Sequence, residues 1–314
     1  MDFWILAIRI IFLSQTTIGI LGNFISMFYY LVLYYRECTL KPTDLILMHL
    51  MAANALIILS SGVPHTMAAF GLKQFLNELG CRFLLFIQAF GRSVSIGITC
   101  LLSVFQATVI RPRDSCWKDH KVKTVNDIGC SISLHWVFFM FINFIFFVYP
   151  FIKLNSKNVT RKRDFGFCSI VGRDEISDSL YAVLLVCPEV FFAVLIALSS
   201  GSMIVFLYRH KKRVQHIRSS HGSNRISPES RATQNILVLM STFLVFYTLS
   251  SILRGCIALL HNHNWWLVNI TPLTSLCFPS FGPFVLMNHY SILSRLTLTW
   301  IRNKNNLILF KVHK

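Results

Sequence analysis

The sequence has too few charged side chains for a soluble protein of its length. Charged residues make up 14% of the 314 residues, whereas hydrophobic residues make up 54%. A soluble globular domain is roughly one-quarter charged, so this chain lacks the polar side chains needed to cover a globule of its size. Its 28 Phe, against 14 Gly and 9 Pro, also exclude fibrous, disordered and low-complexity proteins.

The sequence also lacks the motifs of common enzymes and metal sites. It contains no glycine-rich phosphate loop, no His-Glu-x-x-His, no Cys-x-x-Cys and no Gly-x-Ser-x-Gly. Its apolar segments lack the rows of carboxylates and basic residues that a proton pump or ion pathway needs, and no internal repeat marks a transporter built from two halves. We therefore expect no enzymatic activity, no cofactor and no bound metal.

Charge is almost absent from the long apolar segments. A membrane-spanning helix needs about 20 consecutive, mostly apolar residues. Seven segments reach this length with at most one charged residue each, namely residues 10–35, 45–70, 83–110, 128–150, 179–207, 232–253 and 266–290. We therefore predict an all-α membrane protein, in which residues 1–314 form a single domain built on a bundle of seven transmembrane helices, with a short cytoplasmic tail at 291–314.

The distribution of basic residues predicts the orientation of this bundle. The chain has 30 Lys and Arg against 13 Asp and Glu, and 19 of the 30 lie in the segments that share a side with the C-terminus. Because Lys and Arg accumulate on the cytoplasmic side, we predict a cytoplasmic C-terminus and an extracellular N-terminus in a multi-pass plasma-membrane protein. Six basic residues in loop 151–178 count against this orientation. Membrane lipids account for the basic charge, so we expect no nucleic-acid partner.

A glycosylation sequon and two cysteines fit the same orientation. Asn158-Val159-Thr160 lies in loop 151–178, and the modifying enzyme acts only on the lumenal side. Asn269-Ile270-Thr271 also matches the sequon, but it abuts the seventh segment, so we expect only Asn158 to be modified. Of the nine Cys, Cys81 and Cys168 are the only two that we expect in oxidising surroundings. We predict a disulfide between them; the alternative is two unpaired small hydrophobic residues.

Short motifs occur in a fixed order along the seven segments. They are IGILGNF at 18–24, LILMHLMAAN at 45–54, SSGVP at 60–64, LSVFQA at 102–107, LYRHKKRVQHI at 207–217, SPESRAT at 227–233, STF at 241–243, FY at 246–247, CFPS at 277–280 and PFV at 283–285. Each motif is weak alone, but their order along one chain is specific. The chain resembles the vomeronasal type-1 (pheromone) receptor family of G-protein-coupled receptors over almost its whole length.

Departures from rhodopsin-like receptors help to separate this family from others. Where those receptors carry an acidic residue followed by Arg at the end of the third helix, this chain has Val104-Phe105-Gln106, and it has Asn54 where they carry Asp. The first difference also excludes odorant receptors. The alternatives that remain are a bitter-taste-like chemosensory receptor, whose seventh-helix signature is missing here, and a seven-helix transporter or channel.

The resemblance implies a receptor that binds a small, pheromone-like molecule within the helix bundle and activates a heterotrimeric G protein of the Gi/Go class. Four basic residues flank the inner ends of the fifth and sixth helices, namely Lys211, Lys212, Arg213 and Arg231. We expect them to face the G protein, anionic lipid headgroups or both.

Charged residues inside the apolar segments indicate where a ligand would bind. Arg92 lies deep in the third segment and Glu189 in the upper half of the fifth, while Arg254 lies about two helical turns outward of Phe246 and Tyr247. Because an unpaired charge in the bilayer is costly, each should point inward. Two interpretations remain open. Arg92 and Glu189 form an ion pair that only fixes helix packing, or Arg254, with or without Arg92, binds an acidic or strongly polar group of the ligand.

Overall fold

The computed structural model describes residues 2–37, 40–110, 125–152, 162–171, 187–218, 228–259 and 265–290. These residues form seven long helices, which are α1 (Asp2–Glu37), α2 (Pro42–Ala69), α3 (Glu78–Ile110), α4 (Val125–Ile152), α5 (Cys187–Arg218), α6 (Pro228–Leu259) and α7 (Trp265–Tyr290). Strands β1 (Lys162–Asp164) and β2 (Ser169–Val171) form an antiparallel hairpin. The helical membrane bundle is therefore confirmed, whereas the hairpin was not predicted.

The helices extend beyond the apolar segments from which they were predicted. Helix α1 begins at Asp2 rather than at residue 10, and α5 continues to Arg218 rather than ending at residue 207. A search for charge-free windows finds only the apolar part of a helix, whereas backbone hydrogen bonding continues through the charged turns at either end. The predicted start of the fifth helix at residue 179 and the tail at 291–314 lie outside the described residues.

Six of the described helices, α1 to α6, are long and apolar enough to cross a membrane. The seventh, α7, contains Pro272, Pro279 and Pro283 and packs against α1 and α6. Pro283 has no N–H to offer the carbonyl of Pro279, four residues earlier. The side-chain amide of Asn23 on α1 donates to that carbonyl at 2.8 Å and to the Gly19 carbonyl at 2.8 Å. One asparagine thus satisfies a backbone group that the proline leaves open and ties α1 to α7.

Helix α3 lies at the centre of the bundle and contacts α2, α4, α5 and α6. Gly91 permits its close approach to α2, because a Cβ atom at this position would lie 3.2 Å from the Ala53 carbonyl oxygen. Small residues serve the same purpose in many membrane helix pairs. Ile96, Ile98 and Leu102 of α3 are buried in the main core. The position of α3 explains why polar residues on it can reach several neighbours.

Helix α2 contains a π-helical turn over Ile58–Gly62. Pro64 follows this turn, and the ring of a proline clashes with the carbonyl four residues earlier, so the preceding turn widens. The wider turn carries Ser61, whose hydroxyl accepts a hydrogen bond from Gln88 of α3 at 3.1 Å. Turns of this kind are frequent at functional sites.

The hairpin is fixed to one end of the bundle, which we call the disulfide end. A disulfide joins Cys81 of α3 to Cys168, with the two Cα atoms 5.7 Å apart. Phe167, beside Cys168, is buried among apolar side chains at this end of α2 and α3. The backbone amide of Gln74 donates to the Gly166 carbonyl at 3.3 Å, which adds a second attachment.

Candidate functional site

The two charged residues predicted inside the third and fifth segments form an ion pair. Arg92 Nε lies 3.1 Å from Glu189 Oε1, and both side chains are largely removed from the surface, with 6% and 19% exposed. Arg92 projects from the middle of α3, whereas Glu189 follows Pro188 in the first described turn of α5. This pair is one of the two interpretations that the sequence left open, because neither charge can be left alone in an apolar interior.

Helix α6 supplies the remaining partners of Arg92. The guanidinium donates to Ser250 Oγ at 2.9 Å, to Ser251 Oγ at 2.6 Å and to the Tyr247 carbonyl at 3.4 Å. Its central carbon also lies 3.9 Å from the centroid of the Tyr247 ring, which is the geometry of a cation–π contact. Ser251 in turn donates to Glu189 Oε2 at 3.2 Å. We call these five residues the Arg92 cluster.

The Arg92 cluster connects three helices through one side chain. A guanidinium has five N–H donors in a rigid planar arrangement, so one Arg can bind a carboxylate and several hydroxyl and carbonyl oxygens at once. A Lys at position 92 would offer three donors on a flexible stem. The cluster therefore fixes the relative positions of α3, α5 and α6 where they meet.

Arg254 lies about one turn beyond the cluster on the same face of α6. It is half-buried, and its guanidinium donates to Ser275 Oγ of α7 at 3.0 Å. Its charge also acts on Glu189 and on His65 of α2. Arg92 thus binds a carboxylate directly, whereas one contact of Arg254 is to a hydroxyl of α7.

A cavity lies between α2, α3, α6 and α7, beside these charges, and we call it the central cavity. Its lining combines aromatic rings with hydroxyl and guanidinium groups, including Arg92, Ser95, Phe246, Tyr247, Ser275 and Phe278. Mostly apolar walls with a few fixed polar groups are typical of small-molecule sites. Phe246 and Tyr247, both predicted site residues, lie on this wall, and Arg254 contacts it through Ser275.

His65 and the hairpin lie towards the disulfide end of the bundle. The imidazole stacks on Phe12 of α1 with 5.7 Å between ring centroids, and it meets the edge of Phe167 at 5.0 Å. Phe167 is only 1% exposed. The residue next to Cys168 therefore covers His65, and the hairpin contributes directly to the packing at this end.

Several residues of this region were missed at the sequence level, namely His65, Ser250, Ser251 and Ser275. The two serines of α6 could have been found, because they follow Tyr247 by three and four residues and so share its helix face. Ser275 and His65 give no such signal, since their positions depend on how α7 and α2 pack against α6.

Other predicted site residues are placed only in part. Lys211 and Arg213 belong to the last turns of α5 and Arg231 to the first turn of α6, but their side chains lie outside the described set; Lys212 is exposed. Asn158 also lies outside the described residues. Asn269, the second sequon, is within helix α7.

Comparison with known proteins identifies the family. The family profile of the vomeronasal organ pheromone receptors matches residues 6–298. The chain belongs to the vomeronasal type-1 receptor family. Human vomeronasal type-1 receptor 4 is 47% identical over 290 residues, which cover 92% of this chain and 96% of the relative. Human vomeronasal type-1 receptor 2 is 48% identical over 275 residues, covering 88% and 70%.

A solved structure supports the same fold. Squid rhodopsin superimposes with a TM-score of 0.69 and 15% identity, covering 96% of this chain and 87% of the rhodopsin chain. The family profile and the human relatives confirm the resemblance to vomeronasal type-1 receptors inferred from motifs. This chain is therefore a G-protein-coupled chemosensory receptor and a multi-pass protein of the plasma membrane, and it belongs to a family of receptors rather than of enzymes.

Proposed function

We propose that this receptor binds a small, pheromone-like ligand with an acidic or strongly polar group in the central cavity, where Arg254 is its main polar contact. The observation that carries the proposal is the position of Arg254. Its guanidinium is half-buried and donates to Ser275, a residue of the cavity wall. An anionic group that reached this wall would give the guanidinium a charged acceptor beside the Ser275 hydroxyl, and hydrogen bonds between two ionised groups are short and strong.

Arg92 is less suited to this role because its guanidinium already binds a carboxylate. It binds Glu189, Ser250, Ser251 and the Tyr247 carbonyl. A ligand anion would have to compete with the Glu189 carboxylate for the same guanidinium. We therefore assign Arg92 and Glu189 to the framework of the site, and Phe246 and Tyr247 to its wall.

We further propose that the disulfide end faces the outside of the cell and that the receptor activates a Gi/Go-class G protein. The excess of Lys and Arg near the opposite ends of the helices supports this orientation. Lys211, Lys212, Arg213 and Arg231, near those ends of α5 and α6, would face the G protein or anionic lipid headgroups. The family resemblance, rather than any contact in the structure, supports the G-protein class.

One experiment tests both parts of this proposal. Purified receptor in phospholipid nanodiscs is mixed with Gi, Go, Gs or Gq heterotrimers, and nucleotide exchange is followed while small carboxylic acids or their neutral, size-matched amides are added. We expect exchange on Gi and Go, and a stronger response to acids than to their amides. Exchange confined to Gs or Gq would overturn the G-protein assignment, whereas equal responses to acids and amides would overturn the ligand assignment.

A further inference from the structure

The segment that joins α2 to α3, residues 70–77, exposes apolar side chains at the disulfide end. We call it the α2–α3 loop. Phe70 and Leu72 are each more than half exposed, Phe75 is also exposed, and Leu79 in the first turn of α3 is more than half exposed. Apolar side chains exposed together mark contacts with proteins or membranes. The composition of this loop therefore indicates that it contacts something other than water.

The backbone of the loop fixes the position of Leu72. The amide of Gly71 donates to the Ala68 carbonyl, and the amide of Leu72 donates to the Met67 carbonyl, each at 3.1 Å. Gly71 has a φ of 107°, and these two bonds around a left-handed glycine form the Schellman motif that ends many helices. The residue after the glycine often packs against its own helix in this motif, whereas Leu72 is more than half exposed. Leu72 is thus held at the end of α2 with its side chain available to an outside partner.

Another side of the loop packs against the hairpin. Leu76 packs on the buried cluster of Cys81, Phe167 and Cys168. The amide of Gln74 donates to the Gly166 carbonyl on the hairpin at 3.3 Å. The hairpin therefore covers Leu76 and leaves Leu72 and Phe75 exposed.

Two tryptophans mark the level of the membrane surface at this end. Trp4 of α1 packs edge-on against Trp266 of α7 with 5.3 Å between ring centroids, and both are about half exposed. Tryptophan is enriched where the hydrocarbon meets the headgroups. Arg9 of α1 donates to the Ala69 carbonyl at 2.7 Å, and the five residues from Trp4 to Arg9 span at most about 7 Å along the membrane normal. Because a headgroup layer is about 5–8 Å thick, the loop that begins after Ala69 lies at the level of this layer.

The exposed residues also continue the lipid-facing surface of α3. Leu79 and Phe83 are four residues apart and so share a face of the helix. Phe83 is more than half exposed within the spanning segment Glu78–Val109, and such side chains contact acyl chains in a plasma-membrane protein. Lys73, exposed between Leu72 and Phe75, adds a positive charge that phosphate groups attract. Apolar side chains around a basic residue suit the boundary between acyl chains and headgroups.

We propose that the α2–α3 loop lies in the phospholipid headgroup layer of the leaflet at the disulfide end. Leu72 and Phe75 contact the upper parts of the acyl chains, and Lys73 contacts phosphate groups. Because Gln74 and Leu76 attach the same loop to the hairpin, the bilayer also anchors the hairpin.

Depth-dependent fluorescence quenching tests this proposal on the full-length receptor in phosphatidylcholine nanodiscs. A fluorescent coumarin amino acid replaces Leu72 or Phe75 by stop-codon suppression. Emission is measured with iodide in the water, or with phosphatidylcholine that carries bromine either high on the acyl chain or near its end. We expect bromine high on the chain to quench both positions most strongly, and iodide to quench them more weakly.

Two positions on α5 calibrate the quenchers. Leu198 is more than half exposed in the middle of the spanning segment Cys187–Arg209, so bromine near the end of the chain should quench it most strongly. Lys212 is exposed beyond this segment, so only iodide should quench it.

A variant tests whether apolar contact holds the loop in place. Leu72→Asp should reduce lipid quenching at position 75 and increase iodide quenching there, because a carboxylate is unfavourable among acyl chains. Leu72 is exposed, so the core is left intact. Lys212→Asp is the matched control, since it introduces the same side chain at an exposed position beyond the spanning segment and should not change quenching at position 75.

The proposal is overturned if iodide quenches positions 72 and 75 as strongly as position 212, because the loop would then lie in water. It is also overturned if no quencher acts on them, because a protein contact would then cover the loop. Unchanged quenching at position 75 in Leu72→Asp would equally overturn it. The readout does not depend on the ligand, the G protein or the side of the membrane that the disulfide end faces.

Discussion

Arg92 and Glu189, which are 97 residues apart in the sequence, form a buried ion pair with 3.1 Å between Nε and Oε1. The pair joins α3 to α5. It also binds two serines of α6 and so connects this third helix. Because each charge is paired and hydrogen-bonded, the pair is tolerated in the interior, whereas either charge alone would be strongly destabilising. The effects of substituting Arg92 and Glu189 on stability should therefore depend on each other.

Removing one member of the pair should harm the receptor more than removing both. Arg92→Leu or Glu189→Leu leaves an uncompensated buried charge and should cost about 3–5 kcal/mol, whereas the double variant replaces the pair by apolar side chains and should recover much of that loss. The measurement is the melting temperature in detergent together with the fraction of receptor at the cell surface. The control is Arg36→Leu, at an exposed residue in the last turn of α1, which should cost no more than about 0.5 kcal/mol. Additive losses would show that Arg92 and Glu189 act independently.

The disulfide should behave as one unit. Cys81→Ser and Cys168→Ser should each reduce surface display to the same extent, and the double variant should be no worse, because each single change already removes the bond. Loss of such a bridge typically costs about 2–5 kcal/mol. Cys130→Ser, at an exposed free cysteine of α4, should leave display unchanged. A double variant with twice the loss of either single variant would mean that the two thiols contribute separately.

The glycan tests the proposed orientation. Asn158→Gln should remove a glycosidase-sensitive band shift, since loop 151–178 is placed outside the cell. Asn269→Gln should change nothing, because Asn269 lies within α7 and the modifying enzyme needs an accessible acceptor. A band that glycosidase never shifts would leave the orientation without this support. A shift that depends on Asn269 would contradict the inaccessibility of this residue within α7, not the orientation.

The contact between α1 and α7 predicts that a substitution of Pro283 restores stability lost by a substitution of Asn23. Asn23→Ala removes the donor to the Pro279 carbonyl and should destabilise the receptor by about 1–3 kcal/mol, the cost of an unsatisfied buried group. Pro283→Ala restores a backbone N–H four residues after Pro279, so the double variant should melt above Asn23→Ala alone. If Pro283→Ala lowers the melting temperature equally in both backgrounds, the proline does not create the need for Asn23.

The sequence predicted the helices well because a spanning segment is recorded directly in its composition. It also allowed the Arg92–Glu189 pair as one of two interpretations, since an isolated charge in the bilayer needs a partner. Hydroxyl side chains gave no comparable signal. Ser250 and Ser251 bind Arg92, whereas the exposed Ser133 and Ser241 bond to their own helix backbone. A serine can satisfy itself on either face, so its presence in an apolar segment does not indicate which face it occupies.

The hairpin, the π-helical turn and the exact helix ends could not be predicted because each leaves little or no pattern in the sequence. The hairpin strands have three residues each, too few for alternation of polar and apolar side chains to be recognised. The π-helical turn at Ile58–Gly62 precedes Pro64, but proline more often produces a simple kink, so Pro64 alone did not predict the wider turn. The helix termini were shifted because charged residues continue a helix beyond the apolar segment that reveals it.

The central claim is that Arg254 contacts the polar group of the ligand, and concentration–response curves for Arg254 variants test it most directly. Cells expressing equal surface amounts of each receptor are exposed to the acid that activates the wild type best, with intracellular calcium as the readout. Arg254→Ala should raise the half-maximal concentration at least about tenfold, equivalent to about 1.4 kcal/mol. Arg254→Lys should retain part of the response, because the positive charge survives without the planar donor geometry. Arg36→Ala, at an exposed residue of α1, should respond like the wild type. A wild-type response from Arg254→Ala would contradict the claim and would leave Arg254 as a side chain that only extends to the outer interface.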